Sequence, residues 1–345
     1  MPNVAQIDET LLRDSLPAGQ LPAKILQRLL EQYAHTKTDA IFGPSRAAAV
    51  IPLEDRLLIA KTGASTFVAD DIGHRAAHLN ANAVACAGGE PKWFMATVLL
   101  PEHEMDAIFV EQIFQQITRA CNALKISWNG GHAEMTAAVT QPIVIGMLLG
   151  EAPLSRRYGA DQIQPGDHIL LTKGLAVDAT AIIGRAKAAA LAEIFEADFA
   201  KQCEAFLQAP GLSVLPEARI AWQKPGVHAL HPAATGGLAN AVHELVKEEN
   251  FGVELEVSQI PLFPETKLLC EQFGLDPIGL MASGAMLVVG EEQACAEVLQ
   301  AYQAASIPAA LIGRILPEGE GRWLIDDTER HPLALFPRDE IFRVL

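Results

Sequence analysis

In the first 150 residues, short apolar runs alternate with longer stretches whose apolar residues recur every three or four positions. Ala47 to Pro52 and Leu57 to Ala60 are β-type runs. In Asp71 to Cys86, residues Ile72, Ala76, Leu79 and Val84 follow the helical period, and Gly88-Gly89 ends the stretch as glycines commonly end helices. Trp93 to Leu100 reads as a strand. Glu104 to Lys125 is the clearest amphipathic helix, with Phe109, Ile113, Ile117, Ala120 and Leu124 on one face. Ile143 to Leu149 is a fully apolar strand. Strand, helix, strand, helix, strand is the pattern of an α/β sheet covered by helices.

The same alternation returns later. His168 to Thr172 reads as a strand, Ala176 to Phe195 as an alanine-rich helix, and Gly236 to Lys247 as a helix opening on a glycine pair. Met286 to Val289 and Ala309 to Ile312 are strands around the helix Glu291 to Ala304. Between the halves, Glu151 to Pro165 has no clear period, and Pro165-Gly166-Asp167 is a turn signal. Leu11 to Tyr33 reads as helical, broken at Pro17 and Pro22. A chain of 345 residues has room for two domains. The expected organisation is a helical segment over 1–36, one domain over 37–152 and a second α/β domain over 153–345.

The formal net charge of −16 argues against nucleic acid as a partner, since phosphate backbones need a basic face. No apolar run approaches the roughly 20 residues of a membrane span. The start Met1-Pro2-Asn3-Val4-Ala5 lacks the basic and apolar regions of a signal peptide. Five cysteines (Cys86, Cys121, Cys203, Cys270 and Cys295) stand far apart with no C-x-x-C pair. That spacing fits reduced, mostly buried thiols in a cytoplasm.

Several local patterns carry chemistry, each with a plainer reading beside it. Asp70 and Asp71 open a helix; they either meet its N-terminal partial charge or contact a metal or ribose. His132 and Glu134 follow Gly130-Gly131. On a strand, that spacing puts both on one face. They form a ligand contact, an acid/base pair or a simple hydrogen-bonded pair; two ligands alone make no zinc site. Thr235-Gly236-Gly237 reads either as an N-cap and anion cradle or as a close helix contact. Lys173 before Gly174 is a turn lysine. His228 and His231 are lining residues, held extended by Pro232.

Four stretches, in this order and spacing, resemble the AIR synthase superfamily. They are Asp70-Asp71-Ile72-Gly73 with Asn80 to Pro91; Gly130 to Met135; Pro165-Gly166-Asp167 with Leu170 to Gly174; and Gly274-Leu275-Asp276-Pro277 with Ser283-Gly284. Ile307 to Gly313 also fits, so the resemblance spans about residues 38 to 345. It is nearest the AIR synthase-related branch beside the hydrogenase-maturation proteins and thiamine-monophosphate kinase. The resemblance implies a two-domain α/β (α+β) fold. N-terminal domains would pair across a dimer axis to close a shared β-barrel. ATP would lie in a cleft, gripped by backbone amides and by magnesium ions on aspartates.

Against that family pattern, acids are missing. Arg46-Ala47 follows the Gly43 turn where relatives carry an acid. Lys61-Thr62-Gly63 falls where they read Thr-Asp, Asn82-Ala83 where they read Asn-Asp, and His231-Pro232 where they read His-Asp. Magnesium demands hard oxygen ligands, and neutral side chains do not supply that charge. Arg46 and Lys61 offer a direct pairing with an anion instead, or are solvated surface groups. The maturation relatives end in a reacting cysteine, whereas no cysteine follows Cys295.

The resulting expectation is a homodimer that binds a nucleotide or other small anion without ordinary Mg-ATP turnover and assists a protein partner. The candidate contacts are Arg46, Lys61, Asp70, Asp71, Asn82, Gly130, Gly131, His132, Glu134, Thr235, Gly236 and Gly237. Asp70, Asp71 and Glu134 are the candidates for any retained metal. An active ATP-dependent kinase or synthase and a non-catalytic scaffolding dimer are the alternatives.

Overall fold

The computed structural model describes residues 21, 23–33, 47–67, 70–102, 105–154, 162–247 and 250–345. Arg46 therefore lies outside the described residues. So does the part of the expected N-terminal helix before residue 21; its remainder is α1, Ala23–Tyr33.

Two sheets organise the chain. The first holds β1 (Ala49–Pro52), β2 (Arg56–Ser65), β3 (Glu90–Pro101), β4 (Ser127–Thr136) and β5 (Ile143–Pro153), in the order β1-β2-β5-β3-β4. Helices α2 (Ile72–Cys86) and α3 (Ala107–Leu124) connect and cover it. Asp106 caps α3 by accepting from the Phe109 amide at 2.8 Å. Strand β4 pairs parallel to β3 at the sheet edge.

Sequence period did not reveal β4. Nearly all of its residues are exposed, so no hydrophobic alternation marks it. Its register is set by Gly131, where pairing slips between Phe94 and Ala96. A Cβ on Gly131, at φ 145°, would lie 1.8 Å from the Ala96 carbonyl oxygen.

Alternation in the other strands builds two unlike faces. Phe94, Ala96, Val98, Val144 and Leu148 are buried beneath the helices. On the opposite face Leu58, Ala60, Met95, Leu99, Ile145 and Leu149 are only half-buried, and Met147 is exposed. Among the described residues the sheet is open, and no closed barrel forms within it.

The second sheet runs β12-β11-β8-β10-β6-β9-β7. Its strands are β6 (His168–Thr172), β7 (Val227–Pro232), β8 (Phe251–Glu256), β9 (Met286–Gly290), β10 (Ala309–Glu318), β11 (Arg322–Asp326) and β12 (Glu329–Pro332). The expected helix over 176–195 is two helices, α4 (Val177–Ala186) and α5 (Ala188–Ile194), broken at Lys187. After α6 (Phe199–Glu204) come α7 (Leu215–Ala221), α8 (Gly237–Leu245), α9 (Pro264–Phe273) and α10 (Glu292–Ala304).

Helix α2 lies at the seam of the two sheet-bearing units. Every residue of α2 except His74 and Leu79 is buried. Its apolar side chains share one core with Val214 just before α7, Leu215 at its start, Leu230 of β7 and Tyr302 of α10. All five cysteines are free and buried. Burial pushes the thiols up, Cys121 to about 11 and Cys203, Cys270 and Cys295 to about 12, so none is a ready thiolate.

Candidate functional site

The seam around α2 collects buried polar groups that the helical pattern alone does not explain. Arg75, nearly fully buried, donates from Nε to Asp178 Oδ1 at 2.9 Å and from Nη1 to the Asp70 carbonyl at 3.1 Å. Asp178 belongs to α4, so this ion pair crosses from one unit to the other. Asp71 adopts φ 61° at the start of α2, and its carboxylate caps no helix amide. It pairs instead with Arg185 of α4, which also donates to Glu204 at 2.9 Å.

Lys173 is more than a turn lysine. At φ 59° its buried ammonium donates to the Ser213 and Gly211 carbonyls and pairs with Glu217 at 3.0 Å. Burial pulls its pKa down, and Glu217 opposes that shift. Thus Asp71, Asp178 and Glu217 each carry a cation of the same chain. One oxygen each of Asp178 and Glu217 stays buried without a hydrogen-bond partner.

Asn82 is also engaged in-chain. Its amide donates to the Leu212 carbonyl at 2.6 Å and accepts from the Val214 amide at 2.9 Å, tying α2 to the segment before α7. The position of Gly63 is filled from the next helical turn. A Cβ there would come within 3.2 Å of Asn80 Oδ1, and Asn80 donates to the Ala76 carbonyl at 2.8 Å.

Lys61 lies on β2, on the side facing α2. Burial lowers its pKa while the Glu244 carboxylate on α8 opposes the shift. Glu244 also meets Nε2 of His231 at 3.1 Å. Among the described residues, Lys61 has no hydrogen bond or ion pair closing on its ammonium. His231 is thus a buried partner of Glu244 and not merely a lining residue. His228 pairs with Asp167 at 2.7 Å, the acid of the Pro165-Gly166-Asp167 turn.

His132 Nε2 lies 3.0 Å from Glu134 Oε2, on the exposed edge strand β4, and Trp128 donates to the Gly130 carbonyl at 3.0 Å. The strand spacing does place both side chains on one face. Asp70 is exposed. Among the described residues, no three His, Cys, Asp or Glu side chains gather as cation ligands. Within one chain Asp70, Asp71 and Glu134 therefore form no joint metal seat: Asp71 turns to Arg185 and Glu134 to His132.

The Thr235-Gly236-Gly237 turn opens α8, with Gly236 at φ 77°. Its amide is occupied by the chain's own carboxylate. Gly236 N donates to Asp339 Oδ2 at 2.6 Å, while Met281 N and Ile341 N donate to Asp339 Oδ1 at 3.1 and 3.0 Å. Gly237 has the close-packing role: a Cβ would sit 2.3 Å from the Ile278 carbonyl. Burial raises the Asp339 pKa, and the three backbone donors oppose that. Sequence reasoning missed Arg75, Arg185, Asp178 and Asp339. Arg75 beside His74 and His78 in a helix of mostly small and apolar residues was the available hint for Arg75; Asp339 had no local signal.

The family model described as AIR synthase related protein, N-terminal domain, matches residues 45–152. The corresponding C-terminal domain matches residues 164–325. The chain belongs to this AIR synthase-related family. Among curated relatives it is 28% identical over 260 residues to carbamoyl dehydratase HypE of Rhodobacter capsulatus, covering 74% of this chain and 73% of the relative. Hydrogenase maturation protein HypE in complex with ATP superposes with a TM-score of 0.70 at 20% identity, covering 96% of this chain and 98% of that one. The Aquifex aeolicus thiamine-monophosphate kinase AaThiL, complexed with AMPPCP and TMP, gives 0.70 at 18% identity, over 93% and 98%. At these identities the structural likeness speaks for the fold alone.

Proposed function

We propose that this chain binds a nucleotide or another anionic small molecule in its interdomain cleft, without ordinary Mg-ATP turnover. One observation carries the reading: the seam acids Asp71, Asp178 and Glu217 are neutralised by Arg185, Arg75 and Lys173 of the same chain. Phosphoryl transfer is mostly positioning and charge neutralisation, and a magnesium ion needs free carboxylate oxygens around it. Arginine and lysine at those carboxylates compete with a metal for them. Lys61, drawn inward and lacking an in-chain salt bridge among the described residues, is left for a phosphate or carboxylate. The ATP and AMPPCP bound by structural relatives support a nucleotide as the first ligand to try.

The bare apolar face of the first sheet supports a homodimer. Burying it against a second copy stabilises the pair by roughly 25 cal/mol per Å2 of apolar surface removed from water. The proposed arrangement is a barrel shared by two N-terminal sheets in a cytoplasmic protein that assists a protein partner.

Thermal melts with ATP, ADP and AMP, each with and without magnesium, test the reading, because a ligand specific to the folded state raises its stability. A shift independent of magnesium, and lost in Lys61→Gln, is the expected result. Stabilisation by ATP only with magnesium, accompanied by ADP release, would overturn it in favour of an active kinase or synthase. No shift with any nucleotide or phosphate would leave a scaffolding dimer.

A further inference from the structure

A recess lies on the same seam, and Lys61 is not among the residues that line it. Its volume is about 210 Å3, roughly seven waters at their liquid share of about 30 Å3 each. Asp71 and Arg75 from the start of α2 form one wall; Arg185 of α4 and the 201–208 segment form the other. Three cations, Arg75, Arg185 and Lys201, line it against two acids, Asp71 and Glu204. Asp178 pairs with Arg75 and Asp198 with Lys201, so the recess carries no excess of positive charge; what it offers an anion is the guanidinium N–H groups that these pairs leave over.

The two arginines are held in the same way. Arg75 uses Nε and Nη1 on Asp178 and the Asp70 carbonyl. Arg185 uses Nε and Nη1 on Glu204 and Asp71. Among the described residues, Nη2 of each has no protein partner. A guanidinium fixed on two nitrogens has lost its rotamer freedom already, so a further hydrogen bond to an oxyanion costs little ordering. Arg75 is also nearly fully buried, which strengthens any charge it meets. Between the charged groups the wall is aliphatic, with Ile182, Ala181 and Leu207.

We propose that this recess binds a small oxyanion carried on a short aliphatic body, received by Nη2 of Arg75 and Arg185 with Lys201 at the rim. Two arginine forks suit the two oxygens of a carboxylate or of a phosphate ester. Lys61 is not among the residues lining this recess, so its ligand is separate from the one proposed for the cleft. Because the walls come from both sheet-bearing units, occupancy also ties them together.

The test is calorimetric titration of the full-length protein with butyrate, inorganic phosphate and butanol, at ionic strength held constant with sodium chloride. Saturable binding of butyrate is expected, with weaker binding of phosphate and none of butanol. Butyrate binding should fall at least about tenfold in Arg185→Gln, which removes a charged donor. A fall of about two- to fivefold is expected in Lys201→Gln, an exposed rim charge. Gln208→Trp, an exposed position lining the recess, should abolish binding by filling it. Lys61→Gln should leave it intact, which separates this site from the nucleotide cleft. Should Arg185→Gln fail to fold, Gln208→Trp decides. Heats that never saturate, or butyrate binding in Gln208→Trp equal to that of the parent, would overturn the proposal. Failure of the nucleotide melts alone would not touch it.

Discussion

At the residue scale, buried charges other than Lys61 are met by groups of the same chain, at the seam and within the second unit. Asp339 is the simplest case, because one carboxylate serves three backbone amides. Asp339→Asn would keep the bonds to Met281 and Ile341 but set an amide N–H2 against the Gly236 N–H. A loss of about 1–3 kcal/mol in urea-unfolding free energy is expected. The Thr235-Gly236-Gly237 turn was legible as a helix start with an anion-binding geometry. Its occupant was not, because Asp339 lies 103 residues further on. His74 and His78 offer a second prediction. Their rings stack at 4.0 Å, and Nδ1 of His78 donates to the His74 carbonyl at 2.9 Å. Burial first, then nearby positive charge, lowers His74 to about 4 and His78 to about 3. Above the ordinary value of 6.5 both are neutral folded or unfolded, so their contribution is fully present there. Below it the unfolded chain takes up protons that the folded chain refuses, and stability falls with pH down to about 4 and 3. The slope is about 1.4 kcal/mol per pH unit for each histidine. Urea melts at pH 7 and pH 5 should show this loss, and it should shrink by about half in His78→Gln.

At the element scale, α2 and β4 show where periodic patterns succeed and fail. The period of α2 was readable from Ile72, Ala76, Leu79 and Val84, but the surroundings of its polar residues Arg75, His78, Asn80 and Asn82 were not. Arg75 and Asn82 are buried because a second unit packs on that side, whereas Asn80 is buried against Gly63 and Gly146 of the first sheet. No single-sequence pattern distinguishes a polar face that meets water from one that meets a partner layer. Strand β4 fails differently: an exposed edge strand has no buried face to impose alternation. Its shape depends on Gly131, where any side chain would strike the Ala96 carbonyl. Gly131→Ala is therefore expected to cost about 2–4 kcal/mol through strain and lost register. Hydrogen exchange should report it first in the amides of β4 and the adjoining half of β3.

At the scale of the whole molecule, the two sheets share one core through α2, while the outer face of the first sheet stays apolar and uncovered. The proposed homodimer covers that face, at twice the 37.0 kDa of one chain. Met147 lies exposed within it. Met147→Asp should place a charge in the centre of the proposed contact and convert dimer to monomer in analytical ultracentrifugation. A parent protein that sediments as a monomer would remove the dimer from the account.

The sequence by itself determined the α/β alternation, the turn glycines, the burial of the cysteines and the family resemblance, because each is written in local spacing or residue type. Only the tertiary structure decided where the charges went. Asp71 meeting Arg185, Arg75 meeting Asp178 and Asp339 reaching Gly236 are long-range pairings, and electrostatic partners are fixed by distance in space, which a chain acquires only once its two units have closed on α2.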